Sequence, residues 1–207
     1  MKAIVFYLAL SVFPAFGGSR IAPTHLYIDF QQDPPEVLLE SIQEELANIM
    51  LPTTIEFEWR SLAASKGNEV SPELAVIHFK GTCSVTNLAP TKVHPGPLGW
   101  TDISDGEILP FSEINCDGIR LFMQRDLLRI PEVTREVAYG RAIARVLAHE
   151  LYHIFARTTK HAAWGIGKPS FTVHELLSNK FQFEKSECDL LRAHHAHLVS
   201  ISSETGQ

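Results

Sequence analysis

The residues best suited to chemistry are two histidines and a glutamate near the middle of the C-terminal half. Residues 149–153, His149-Glu150-Leu151-Tyr152-His153, read H-E-x-x-H. On an α-helix, residues four apart lie one turn apart on the same face, so the His149 and His153 imidazoles can reach one metal ion. We expect that ion to be Zn²⁺, because zinc accepts neutral histidine nitrogens in tetrahedral geometry.

Glu150 directly follows the first ligand and is the candidate catalytic residue. Beside the open position of the metal, its carboxylate can take a proton from a zinc-bound water and later deliver it to a leaving amine. Zinc lowers the pKa of that water from about 15.7 to roughly 7, which makes hydroxide available at neutral pH. The motif therefore predicts zinc-dependent hydrolysis of peptide bonds, with the water activated by Glu150.

The third metal ligand is less clear from the sequence. A catalytic zinc site normally has three protein ligands and a water. We favour His161, because a chain that reverses just past the motif helix would bring it back over the metal. Glu175 from a following helix is an alternative, although Thr172 and Glu175 also fit a capping box, T-x-x-E. His174 is a further alternative, and all three stay open.

A long helix must position the motif. The segment from Pro131 to Ala148 runs straight into it, with apolar residues at spacings of about three and four. We assign the apolar positions to the core side: Val133, Val137, Ala144, Leu147, Ala148, Leu151, Ile154 and Phe155. We assign four arginines to the other side: Arg135, Arg141, Arg145 and Arg157.

The remaining pattern predicts a mixture of strands and helices. Alternating or apolar runs indicate strands at 24–30, 53–60, 74–79 and 119–123, with an edge strand at 106–111. A helix is expected from Asp33 to Pro52, and a last helical region from Thr172 to about Leu198. The histidines of that region are interpreted as its solvated face: His194, His195 and His197.

The composition and the N-terminus limit the classes of function. The chain has 207 residues, a net charge of −6 and no run of lysine or arginine, which argues against nucleic acid or an anionic membrane as partner. Residues 1–17 have the pattern of a signal peptide, and the apolar run is too short for a hydrocarbon layer of about 30 Å. We expect a secreted or periplasmic protein, without stable membrane insertion, whose residues 18–207 form one domain. Export permits a disulfide, for which Cys83–Cys116 is favoured over three buried thiols.

The element order and the motif resemble the N-terminal half of the metzincin zinc peptidases, over about residues 24 to 165. The resemblance implies an α+β, zincin-like fold. A twisted mixed sheet of four to five strands would pack on two long helices, and the active-site helix would be followed by a loop and a C-terminal helix. It also implies a substrate lying antiparallel to the edge strand.

The chain departs from the family motif, H-E-x-x-H-x-x-G-x-x-H. Ala156 holds the glycine position, Thr159 holds the third-histidine position, and no methionine follows the motif. The carry-over is therefore to His149, Glu150 and His153, with His161 two residues late. The chain looks like a divergent branch of that family, and zincins with a glutamate ligand are the alternative kin.

Two classes of function follow. The first is a monomeric exported zinc metallopeptidase acting on a peptide or protein substrate. The second is a non-catalytic metal-binding module of zincin fold that acts on a partner protein. Glu150 discriminates between them, because a module without turnover has no chemical need for that carboxylate.

Overall fold

The computed structural model describes residues 23–69, 71, 73–86, 88 and 96–204, with side chains described up to residue 197. The predicted signal peptide, residues 1–17, lies outside the described residues and stays a prediction. Within the described part of the chain, no helix has the length and apolar character needed to cross a membrane.

Five strands form one mixed sheet. They are β1 (Thr24–Phe30), β2 (Phe57–Ser61), β3 (Leu74–Lys80), β4 (Gly99–Ser104) and β5 (Glu107–Asn115). The order across the sheet is β2-β1-β3-β5-β4, so β3 is central, as its continuously apolar sequence indicates. The first four strands in this order are parallel, and β4 runs antiparallel to β5 at the edge.

Five α-helices lie among the described residues, and with the sheet they confirm an α+β class. They are α1 (Glu36–Met50), α2 (Cys116–Leu127), α3 (Glu132–Ala156), α4 (Val173–Leu177) and α5 (Lys185–Glu204). The long helices α1 and α3 pack together, and the Ser41 hydroxyl of α1 donates to the Val137 carbonyl of α3 at 2.9 Å. Leu38, Ile42 and Leu46 recur every four residues on α1 and are fully buried, as a helix face toward a core requires.

The edge of the sheet differs from the prediction. Residues 106–111 were expected to form the edge strand, but residues 107–111 belong to β5, Gly106 lies in the turn before it, and β4 is the edge. A two-residue loop joins the two strands, and both of its residues have positive φ, 52° at Asp105 and 83° at Gly106. An Asp-Gly pair in this conformation is typical of tight hairpins, and it was the signal for β4.

The predicted strand at 119–123 is wrong, because these residues lie inside α2. The helix begins after Asn115, whose side-chain oxygen accepts the Gly118 N–H at 2.8 Å. A five-residue segment with four apolar residues, interrupted by Arg120, is too short for periodicity alone to distinguish a strand from a helix. The asparagine cap was the informative feature.

Three further assignments change. Val133 is 88% exposed and Val137 is 39% exposed, so neither belongs to the core side of α3 as predicted. Arg145, which was assigned to the other side, is fully buried. Arg145 is held there by Glu45 at 2.7 Å and by the Glu175 carbonyl at 2.7 Å, partners that no local pattern reveals.

The last helical region is two helices, α4 and α5, rather than one. One of its histidines, His195, is not solvated: it is buried, and its Nδ1 lies 2.8 Å from a carboxylate oxygen of Glu73. Cys83 and Cys116 form a disulfide as favoured, and Cys188 is a buried free thiol.

Candidate metal centre

Helix α3 presents the two motif histidines to the same place. His149 is buried and His153 is half-buried. Nδ1 of His149 lies 2.8 Å from the Ile166 carbonyl oxygen, and Nδ1 of His153 lies 2.7 Å from the Thr158 carbonyl oxygen. Because a carbonyl only accepts hydrogen bonds, both Nδ1 atoms carry hydrogen, and each Nε2 keeps a free lone pair.

The two Nε2 atoms lie 3.1 Å apart, which is the most informative distance in the molecule. Two lone pairs facing each other at this distance repel unless a cation lies between them. For tetrahedral zinc with nitrogen ligands at about 2.0–2.1 Å, two such nitrogens are about 3.3 Å apart. The observed separation is close to that value, so both Nε2 atoms can ligate one ion.

His161 completes a group of three. Its ring centroid lies 5.2 Å from that of His149 and 4.9 Å from that of His153, and one nitrogen from each of the three rings lies within 4.8 Å of the others. The chain leaves α3 in a left-handed conformation at Arg157, φ 46°, and turns back as the Thr158 N–H donates to the His153 carbonyl. The group can hold a metal ion.

The two alternative third ligands lie outside this group. Glu175 forms the capping box with Thr172 and pairs with Lys168 at 2.5 Å. His174 is exposed. Among the described residues, the one group of potential metal ligands consists of the three histidines, and it contains neither Glu175 nor His174.

Glu150 lies beside this group in a buried position. It is 5% exposed, and the Thr101 hydroxyl donates to its Oε2 at 2.8 Å. Gly99 of the same strand packs so closely that a Cβ there would lie 2.9 Å from Oε1. Burial raises the pKa of Glu150 to about 7, against the opposite effect of the Thr101 hydrogen bond. A carboxyl group with a pKa near neutrality can both accept and donate a proton.

Burial acts on the two imidazoles in the opposite sense. It lowers the pKa of His149 to about 4 and also lowers the pKa of His153, despite their carbonyl partners. Both rings are therefore neutral at pH 7, and the neutral ring is the form that binds metal.

Two cavities flank the carboxylate and share His149 and Glu150. One, of about 340 Å³, opens toward β4 and the chain after α3. Its lining includes Trp100, Ile103, Ile108, Thr159, His161 and Pro169. The other, of about 330 Å³, is mostly apolar, with Pro97, Leu98, Phe122, Val146, Pro169 and Phe171 in its lining. The two cavities therefore adjoin at His149 and Glu150, and we call them together the cleft.

Several groups that support the site were not predicted from the sequence. The carbonyls of Ile166 and Thr158 fix the imidazoles, and any residue supplies a carbonyl, so no residue type could reveal them. Thr101 became recognisable only once β4 was placed beside α3. Phe171, whose ring meets that of His149 edge-on at 5.5 Å, lies in a segment that was read only as a loop before the last helical region.

Three imidazoles and a carboxylate around one cleft can bind a divalent cation and transfer a proton. Comparison with protein-family models, with curated proteins and with solved structures finds no match to this chain. The case for any function therefore rests on the geometry and chemistry of the described residues.

Proposed function

We propose that this protein is a zinc-dependent peptidase. The observation that carries the proposal is that the Nε2 atoms of His149 and His153 lie 3.1 Å apart. The buried carboxyl group of Glu150 lines the same cavity as these two histidines. A structural site would normally have four protein ligands, whereas three leave a coordination position open.

The donor set fits zinc. His149, His153 and His161 would hold the ion as neutral imidazoles, and histidine nitrogen suits zinc better than it suits calcium or magnesium, which prefer oxygen. Zinc, when bound, supplies a Lewis acid that polarises a carbonyl and lowers the pKa of water.

Glu150 is the proton carrier in this proposal. As a carboxylate it accepts a proton from a water molecule in the cleft, and as a carboxylic acid it returns that proton to the leaving amine nitrogen. The Thr101 hydroxyl occupies Oε2 and leaves Oε1 as the oxygen for proton transfer. Burial of Glu150 keeps both protonation states accessible near neutral pH.

The edge strand β4 offers a surface along which an extended substrate could align. β4 pairs with β5 on one side, and Gly99, Trp100, Thr101 and Ile103 of β4 line the larger cavity. An extended peptide adding to the free side of β4 would pass over Glu150 and reach the apolar cavity beyond it. We propose peptides as the substrate class on this ground.

Kinship with the metzincin-like zincins is part of the proposal. Its support is the H-E-x-x-H helix packed against a mixed five-stranded sheet with an antiparallel edge strand. Secretion belongs to the proposal as well, and the disulfide between Cys83 and Cys116 supports it.

The test combines metal analysis with cleavage. We expect about one zinc per chain in the purified protein, cleavage of a peptide library, loss of cleavage after chelation, and recovery when zinc is added. Glu150→Gln should keep the metal and lose about 10²- to 10⁴-fold in kcat.

Glu132→Gln is the matched control, since it makes the same change at the exposed first turn of the same helix. Zinc bound without any cleavage, in wild type and control alike, would favour the metal-binding module instead. A folded protein with no affinity for zinc would overturn both.

A further inference from the structure

A buried carboxylate on α5 lies behind the metal centre and has no role in the proposed chemistry. Glu187 is 3% exposed and lies in the first turn of α5. One oxygen, Oε2, accepts the Glu184 N–H at 2.8 Å, which is the usual task of a glutamate at this position of a helix. The other oxygen, Oε1, is buried and lacks a hydrogen-bond partner of normal geometry among the described residues.

That second oxygen points at the backbone of the loop that follows the third histidine. A Cβ built on Gly167 would lie 1.5 Å from Oε1, so only glycine fits against it. Burial raises the pKa of Glu187, and the N–H groups of Glu184 and Gly167 act in the opposite sense. A buried polar atom held against one backbone position calls for an explanation beyond capping.

Gly167 is directly connected to two parts of the metal centre. Its carbonyl accepts the N–H of Ala162, the residue after His161, at 2.9 Å. Its neighbour Ile166 supplies the carbonyl that holds Nδ1 of His149 at 2.8 Å. The Ile166 N–H in turn donates to the Gln182 carbonyl at 3.1 Å, just before α5.

We infer that Glu187 is a positioning residue for the metal centre: by holding Gly167 it fixes both the carbonyl that orients His149 and the turn that carries His161. The inference rests on the proposed metal site. Outer partners of metal ligands set the orientation and the tautomer of those ligands, and losing one typically costs about 10- to 100-fold in metal affinity.

The test uses Glu187→Gln. A glutamine keeps one oxygen for the Glu184 N–H, so the helix cap survives, but it turns an NH₂ group toward Gly167. We expect zinc affinity, measured by competition with a chromophoric chelator, to fall about 10- to 100-fold. The visible spectrum of the Co²⁺-loaded protein should shift, because it reports the arrangement of ligands at the metal. Asp189→Asn, on the exposed side of α5, should change neither.

Gly167→Ala tests the same contact from the loop. It should weaken zinc binding by a similar factor, and the double variant should lose no more than the worse single variant, because both act through one contact. Near-UV circular dichroism of the metal-free variants checks that they are folded.

Wild-type zinc affinity and an unchanged Co²⁺ spectrum in Glu187→Gln would overturn the inference while leaving the peptidase proposal intact. Fully additive losses in the double variant would do the same. No zinc binding by the wild type would instead overturn the proposed function itself.

Discussion

The metal centre has two halves that are built differently. His149, Glu150 and His153 belong to the last two turns of a 25-residue helix that packs against α1 and the sheet, and Leu147, Ala148 and Leu151 around them are fully buried. His161 is exposed and stands on irregular chain between α3 and α4. The helix half owes its geometry to α-helical periodicity, and the loop half owes its geometry to contacts with residues far along the chain.

The two halves obtain their rigidity from different sources. A helical turn sets the spacing of the first two nitrogens without any outside help. The third depends on a left-handed residue at Arg157, on Gly167 and on the start of α5. We therefore expect the helix half to determine whether metal binds, and the loop half to determine how tightly it is held.

Removing a helix ligand should have the largest effect. We expect His149→Ala to weaken zinc binding by more than about 100-fold, beyond the loss typical of an outer partner, because it removes a direct ligand. Chelator competition measures the affinity. His174→Ala, an exposed histidine on α4, is the control and should bind zinc as the wild type does. Equal affinities for His149→Ala and wild type would show that the helix half does not determine whether metal binds.

Removing the loop ligand should have a smaller effect. We expect His161→Ala to weaken zinc binding by about 100-fold, the upper end of the loss typical of an outer partner, and to leave one zinc per chain at high concentration, because the helix pair remains. Glu175→Gln should leave zinc affinity unchanged and keep the capping box, because a glutamine oxygen can accept the Thr172 N–H in place of the carboxylate. A loss in Glu175→Gln equal to that in His161→Ala would move the third ligand to α4.

The strand side of the site can be separated from both halves. Thr101→Val removes the hydroxyl that holds Glu150 and keeps the side-chain shape. We expect kcat to fall about tenfold or more with zinc affinity unchanged, since a hydrogen bond to a charged group contributes about 1.5–3 kcal/mol. Steady-state kinetics beside chelator competition provide the two readouts. A parallel loss of zinc would show that Thr101 supports the metal rather than the carboxylate.

The smallest expected effect is the change in stability of the metal-free protein as the pH is lowered. His149 has a folded pKa of about 4, below its unfolded value near 6.5, so the unfolded chain binds more protons and stability falls as pH drops from about 6.5 to 4. Glu150 has a folded pKa of about 7, above its unfolded value near 4.5, so its contribution rises as pH drops from about 7 to 4.5. The two slopes oppose each other within the helix half.

Urea unfolding of metal-free variants should separate these slopes. Glu150→Gln should lose stability on the acid side of pH 6.5, by the order of 1–3 kcal/mol, and His149→Gln should gain on moving from pH 7 to 4.5. The wild type should change less than either variant. Identical pH profiles in all three proteins would contradict the opposed shifts.

Elements with a regular hydrophobic period could be predicted from the sequence, and two elements without one were missed. β1, β3, α1 and the run of α3 into the motif follow from alternation and from three- and four-residue spacing. Residues 119–123 of α2 were taken for a strand because this mostly apolar segment is short. The edge strand β4 was missed although Asp105-Gly106 marks its turn. These two errors concern local signals that were present and given too little weight.

The site divides in the same way. The helix pair and Glu150 follow from five letters of sequence, whereas His161 needed a guess about where the chain turns. The buried Arg145 and His195 were assigned to solvent because their partners, Glu45 and Glu73, are 100 and 122 residues away. No window of local sequence contains such a pair.

The disulfide makes the stability of one wall of the cleft depend on the redox conditions around the protein. Cys83–Cys116 spans 33 residues of chain, and that loop contains both β4 and β5. Closing a loop of this size lowers the entropy of the unfolded chain enough to stabilise the fold by about 4 kcal/mol. Reduction would remove that contribution to the free energy of unfolding without altering any histidine. The strands that form the cleft wall would be destabilised while all three metal ligands remained in the chain. The lifetime of the protein is thereby coupled to the thiol–disulfide balance of its compartment.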